Sequence, residues 1–84
     1  MRFIAHRGNT NGKTNLENHP IQITAAIQTG FDAEIDIWFQ DKNLYLGHDC
    51  PTYKIDISFL ENFIDNIWIH CKNHAALEFF NQSN

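Results

Sequence analysis

The run GFDAEIDIWFQ at positions 30–40 constrains the fold more than any other stretch. Extended backbone sends successive side chains to opposite faces. Ala33, Ile35, Ile37 and Phe39 then make an apolar face, while Asp32, Glu34, Asp36 and Trp38 make an acidic one. Alternate residues of a strand lie roughly 6.5–7 Å apart, so Glu34 and Asp36 can converge on one small object between their tips. Carboxylates this close repel unless a proton or a cation sits between them. A solvated surface strand is the alternative, and the neighbouring segments must decide.

Those segments alternate between strand and helix. MRFIA reads as a short strand entering HRGNTNGKTN, whose Gly, Asn and Thr favour turns. Pro20 suits the first turn of a helix, with Asn18 or His19 just outside it. Ile23, Ala26 and Ile27 share one face of that helix, and Gly30 follows Thr29 as its terminator. A second helix is expected from Ser58 and Glu61, spaced as a capping box, with Phe59, Leu60, Phe63 and Ile64 as its buried stripe. IWIHCK, 67–72, is a further strand with Ile67, Ile69 and Cys71 on one face and Trp68, His70 and Lys72 on the other. Asn73 can cap a last helix, HAALEFFN. His19 and His74 read as helix-start residues, Trp38 and Trp68 as core packing or the mouth of a pocket.

Between the acidic strand and the second helix, DKN at 41–43 is a turn and LYLGHD returns as an extended piece. A three-residue loop pairs Gln40 with Leu44, Trp38 with Leu46 and Asp36 with His48, which brings His48 to the acidic face. A two-residue loop shifts the pairing by one and turns His48 away. The three-residue register is the expectation.

Strands alternating with amphipathic helices indicate an α/β fold with parallel βα units. Strands with one apolar and one polar face suit a barrel, helices outside and chemistry at the mouth, better than an open sheet covered on both sides. Eighty-four residues make one domain at most, spanning 1–84. The net charge of −4 and the lack of a basic run argue against general nucleic-acid binding. An anionic substrate therefore needs a local positive centre: a metal, Arg7 or a lysine. Cys50 and Cys71 lack CxxC spacing and read as reduced thiols. With no leader and no apolar run near 18 residues, a cytoplasmic chain without a transmembrane segment is expected by default.

AHRGN, LENHP, GFDAEIDIW, LGHD and IHCKN, in this order and approximate spacing, resemble the glycerophosphodiester phosphodiesterase family. That family belongs to the phospholipase C-like phosphodiesterases, built on a TIM barrel. The likeness runs over roughly positions 3–78; HRG, ExD and HD are fairly specific together and weak singly. It implies that His6 and His48 are a catalytic general acid and general base. Arg7 matches the arginine that holds the phosphate, and Lys72 the lysine of a later ExK motif. Glu34 and Asp36 match carboxylates that bind a divalent cation, Ca²⁺ or Mg²⁺ foremost and Mn²⁺ as a further candidate. Glu17 matches the glutamate of an EN motif, either contacting the metal or anchoring Arg7 or the loop.

The chain departs from the family in two ways. His70 stands where a metal-binding glutamate is usual, so it is either a ligand or a hydrogen-bonded strand histidine; ENHP likewise replaces the usual ENT. A TIM barrel needs about 200–250 residues for eight βα units, and only three are counted. The expected fold is thus the N-terminal part of such a barrel, whose last strand leaves an unpaired edge. The resemblance implies metal-dependent hydrolysis of a glycerophosphodiester or related lipid-derived phosphodiester by His/His acid–base catalysis. In that family a neighbouring substrate hydroxyl is thought to attack first, giving a cyclic phosphate that water opens. The alternative is a catalytically incomplete fragment that binds a cation or phosphate, or associates with another chain through its exposed sheet edge.

Overall fold

Nine elements follow one another in a computed structural model that describes residues 3–9 and 17–82. They are β1 (Ile4–His6), α1 (Pro20–Gln28), β2 (Asp32–Gln40), β3 (Asn43–Leu46), β4 (Tyr53–Ile55), α2 (Ile57–Asn62), a 3₁₀ turn (Ile64–Asn66), β5 (Ile67–Cys71) and α3 (His74–Gln82). Met1 and Arg2 of the expected first strand, and positions 10–16 of the following loop, lie outside the described residues. The domain is a small α/β unit with a five-stranded mixed open sheet and three α-helices. No helix among the described residues is long and apolar enough to cross a membrane.

Strand β2 organises the sheet because it is long enough to serve three neighbours. One edge carries β1 in parallel along Asp32–Glu34 and then β3 in antiparallel along Ile37–Gln40. The other edge carries β5 in parallel along Ala33–Ile37. The alternation expected from the sequence holds: Ala33, Ile35 and Ile37 are fully buried on one face. Ile23 of α1, Leu60 of α2 and Ala76 of α3 join them in one core cluster with Leu44, Leu46 and Ile55. Every helix therefore contributes to the core that the apolar face anchors.

The helix boundaries follow local chemistry. His19 caps α1 by accepting the Ile21 N–H, with Pro20 in the first turn where its missing donor costs nothing. Asn73 caps α3 by accepting the Ala76 N–H. For α2 the expected capping box is replaced: Asp56 occupies the N-cap with no side-chain bond, and Ser58 lies inside the helix. Ile64 is not part of a buried stripe but 61% exposed, because the chain tightens into the 3₁₀ turn at that residue. Trp68 is likewise 56% exposed, on the polar face of β5 rather than in the core. Strand β4 was not expected; it pairs with β3 as Leu44–Ile55 and Leu46–Tyr53.

The hairpin register also differs from expectation. Gln40 pairs with Asn43, Phe39 with Leu44 and Ile37 with Leu46, across a two-residue loop of Asp41 and Lys42. Both loop residues have positive φ, 52° and 67°, the geometry of the tight hairpin turn whose twist matches the strands. Burial explains the outcome. This register delivers Leu44 and Leu46 to the apolar face, whereas the three-residue loop would have set both on the acidic side.

Leu46→Ala is expected to cost about 2–5 kcal/mol, read as a lowered midpoint in urea unfolding. The control Ile64→Ala should stay within about 0.5 kcal/mol of the parent. Equal losses from the two would be incompatible with the observed pairing.

Candidate functional site

The acidic face of β2 meets side chains from β1, β5 and two loops. His6 on β1 lies directly opposite Glu34, and His70 on β5 directly opposite Asp36. Opposed residues share a face, so register alone places both imidazoles beside the carboxylates. His6 Nδ1 is 3.0 Å from Glu34 Oε1, and His70 Nδ1 is 3.1 Å from Asp36 Oδ1. Asp32, the third acid of the alternation, accepts from Asn66 Nδ2 at 3.3 Å.

After His6 the chain turns sharply. Arg7 and Gly8 take positive φ of 55° and 81°, and the Arg7 N–H donates to the Glu34 carbonyl. Gly8 is needed here: a Cβ would sit 3.1 Å from the Ile23 backbone nitrogen, with φ already in the region that favours glycine. The turn swings the Arg7 side chain over the sheet. Its Nε donates to Asp36 Oδ2 at 3.1 Å and its Nη1 to Glu17 Oε2 at 3.2 Å, while its Nη2 lies 3.3 Å from His48 Nε2. Glu17 also accepts from Asn9. Burial opposes the Arg7 charge, but Glu17 and Asp36 outweigh it and raise the pKa further.

His48 reaches the same place by leaving the ladder. Continued two residues further, the observed register would set His48 opposite Ile35, on the apolar face. Instead the chain bends at Gly47, whose N–H donates to the Asp36 carbonyl and whose carbonyl accepts from Trp38 Nε1 at 2.7 Å. Any Cβ at Gly47 would collide with the Cys50 carbonyl oxygen, so only glycine permits this bend. His48 Nδ1 consequently lies 3.5 Å from Asp36 Oδ2. The conclusion about His48 holds although the pairing proposed for it does not.

Asn18 was missed by sequence reasoning. It is fully buried with φ of 63°, and it grips Asp36 twice: Nδ2 donates to the carboxylate at 3.0 Å, and Oδ1 accepts the Asp36 N–H at 2.9 Å. Gln22 on α1 steadies the approach by donating to the Arg7 carbonyl and to Asn9. The only sequence signal for Asn18 is its place beside Glu17 in the EN pair.

Four of the eight expected site residues, His6, Arg7, His48 and His70, thus surround the carboxylates of two others, Glu34 and Asp36. Glu17 joins through Arg7, and Lys72 contributes its charge near Asp36. The donor chemistry at Asp36 is that of a satisfied anion. Burial pushes its pKa up, but the hydrogen bonds from Asn18 and His70 and the charges of Arg7 and Lys72 outweigh burial and lower it below 3.8. The Arg7 guanidinium, 3.1 Å from Asp36 Oδ2, lies on the carboxylate that the resemblance assigns to a cation. No group of three His, Cys, Asp or Glu among the described residues is set to hold a metal ion. Away from the site, Cys50 and Cys71 are both free, and burial raises the Cys71 thiol pKa.

No protein-family model matches the chain, and comparisons with curated proteins and with solved structures also find no match.

A lowered carboxylate pKa stabilises the fold above the ordinary value and stops doing so as pH falls through the folded value. Native stability should therefore drop as the solution is acidified below about pH 4. Asp36→Asn should remove that part of the acid dependence and lower neutral-pH stability by roughly 3–5 kcal/mol. Urea unfolding of both proteins across the acid range measures this, and an unchanged acid slope in the variant would count against the network.

Proposed function

We propose that the chain carries the acid–base face of a phosphodiester hydrolase of the glycerophosphodiester phosphodiesterase type, acting on a glycerophosphodiester or a related lipid-derived phosphodiester. One observation carries the reading: His6 at the end of β1 and His48 in the loop after β3, far apart in sequence, lie against neighbouring carboxylates, with Arg7 between Asp36 and His48. Two imidazoles and a guanidinium on one face are what an anionic ester needs for proton transfer and charge neutralisation. The parallel strands β1, β2 and β5, with α1 and α3 after β1 and β5 and with α2 after β2 and the antiparallel strands β3 and β4, support reading the sheet as the opening units of a TIM barrel.

In this reading the phosphoryl oxygens are bound by Arg7. Three of its five N–H groups are spent on Asp36, Glu17 and His48, which leaves two for non-bridging oxygens. One histidine takes the proton of the attacking hydroxyl and the other gives a proton to the departing alkoxide. Asp36 and Glu34 hold the rings, so ring position does not have to be found anew in each turnover. Lys72 adds positive charge nearby.

Strand β5 supports a second reading. Among the described residues it pairs with β2 alone, and its Ile-Trp-Ile-His-Cys sequence carries no proline and no full charge at its open edge. The domain would then be an incomplete barrel that joins another chain through that edge.

Hydrolysis of glycerophosphocholine and of a chromogenic bis-phosphodiester tests the first reading, with Ca²⁺, Mg²⁺ and Mn²⁺ as separate additions. His6→Ala and His48→Ala should each lower kcat/KM by about 10²–10⁴-fold. Turnover indifferent to both substitutions would sink the proposal. Light scattering on the same samples addresses the second reading, which an active monomer would remove.

A further inference from the structure

Among the described residues, His48 Nδ1 is a buried polar atom without a hydrogen-bond partner. Buried polar groups are nearly always satisfied, so the atom directs attention to its surroundings. It faces Asp36 Oδ2 at 3.5 Å, on a carboxylate itself removed from solvent. Across the ring, Nε2 faces Arg7 Nη2 at 3.3 Å. A guanidinium has donors and no acceptor. A hydrogen bond over that gap therefore needs the lone pair of Nε2, while a proton on Nε2 would set two N–H groups against each other. The neutral ring then carries its proton on Nδ1, the atom that faces Asp36.

We propose that Arg7 and Asp36 together hold His48 as the neutral Nδ1–H tautomer, which makes Arg7 a positioning residue for His48. One group opposes this arrangement. Asp49 Oδ1 lies 3.7 Å from Nε2 and would favour a proton there. Its side chain is 93% exposed, and solvent screens an ion pair so exposed. The buried Asp36 charge outweighs it. The same rule applied to His19 gives the opposite result: its Nδ1 accepts the Ile21 N–H at 3.1 Å, so its proton sits on Nε2.

The tautomer itself does not depend on the function proposed above; its consequence for the reaction does. A lone pair on Nε2 makes His48 the proton acceptor and leaves His6 as the donor. The attacking hydroxyl would lose its proton to His48 Nε2 as its oxygen bonds to phosphorus. The bond from phosphorus to the departing alkoxide breaks, and that oxygen takes a proton from His6. Exchange with water returns both rings to their starting states. Because Nε2 is covered by Arg7 Nη2 in the resting protein, phosphoryl oxygens that draw the guanidinium away would uncover the base as they bind.

Long-range ¹H–¹⁵N correlation spectra of the labelled chain test the tautomer without any substrate. They are recorded at about pH 8, above the ordinary histidine pKa. His48 should show a protonated Nδ1 and an unprotonated Nε2, with His19 showing the reverse in the same spectrum. A predominant Nε2–H form of His48, or a mixture of both forms, overturns the proposal. Arg7→Met should shift His48 towards Nε2–H, and Arg7→Lys, which keeps a donor, should restore part of the Nδ1–H signal. A His48 tautomer indifferent to Arg7→Met removes Arg7 from the role, and if that variant does not fold the parent spectrum still decides. A chain with the Nδ1–H form but no hydrolysis refutes the phosphodiesterase reading alone.

Discussion

Taking a carboxylate out of water costs several kcal/mol even after the surroundings relax, and Asp36 is taken out almost completely. The rest of the site follows from how that burial is compensated. Asn18 supplies a donor to the side chain and an acceptor to the backbone of the same residue. Arg7 supplies a charge, and His70 supplies a ring nitrogen on the other oxygen. Two of these partners, Arg7 and Asn18, hold left-handed backbone that a side chain adopts only at some expense. The Asn18 N–H also donates to the Arg7 carbonyl, which closes the two irregular segments on each other. Arg7 and Asn18, from the two described ends of the connection between β1 and α1, are thus both held by a single side chain of β2.

Much of this was legible in the sequence because period-2 alternation is a strong signal when one face is buried. The alternation in β2 gave the apolar and acidic faces, and the same pattern in IWIHCK put His70 on the acidic side. The hairpin was not legible, because two-residue and three-residue loops differ by one position and Asp41-Lys42 lacks the glycine that marks a tight turn. The burial of Leu44 and Leu46 decided the matter, a tertiary effect. Asn18 left no periodic signal since a buried amide obeys no periodicity, and β4 is only Tyr53–Ile55, too short to show one. The aromatic residues were misjudged for a related reason: Trp68 sits on the face that the helices do not cover.

His48 illustrates how a right placement can come through a wrong pairing. The regular ladder buries Leu46 and would have buried His48 two residues later. Gly47 breaks the ladder at the step where a polar residue must return to the polar face. Trp38, whose ring lies on that face, holds the Gly47 carbonyl at the break. The bend is therefore built by residues of both strands, and its position is fixed by the excluded volume of a single absent Cβ.

Three imidazoles on this face have Nδ1 as the atom nearest a β2 carboxylate: His6 at 3.0 Å from Glu34, His70 at 3.1 Å and His48 at 3.5 Å from Asp36. An acceptor at Nδ1 fixes which nitrogen remains for outside partners. In sequence, acids on alternate positions suggested a ligand pair for a cation. In three dimensions the same spacing also sets a ring from a neighbouring strand beside each acid. For Glu34 and Asp36 the opposite residues are histidines, set there by the parallel register of β1 and β5. Ring orientation is therefore written into the strand pairing itself. The loops that carry Arg7 and His48 need only complete a frame that the sheet has already laid down.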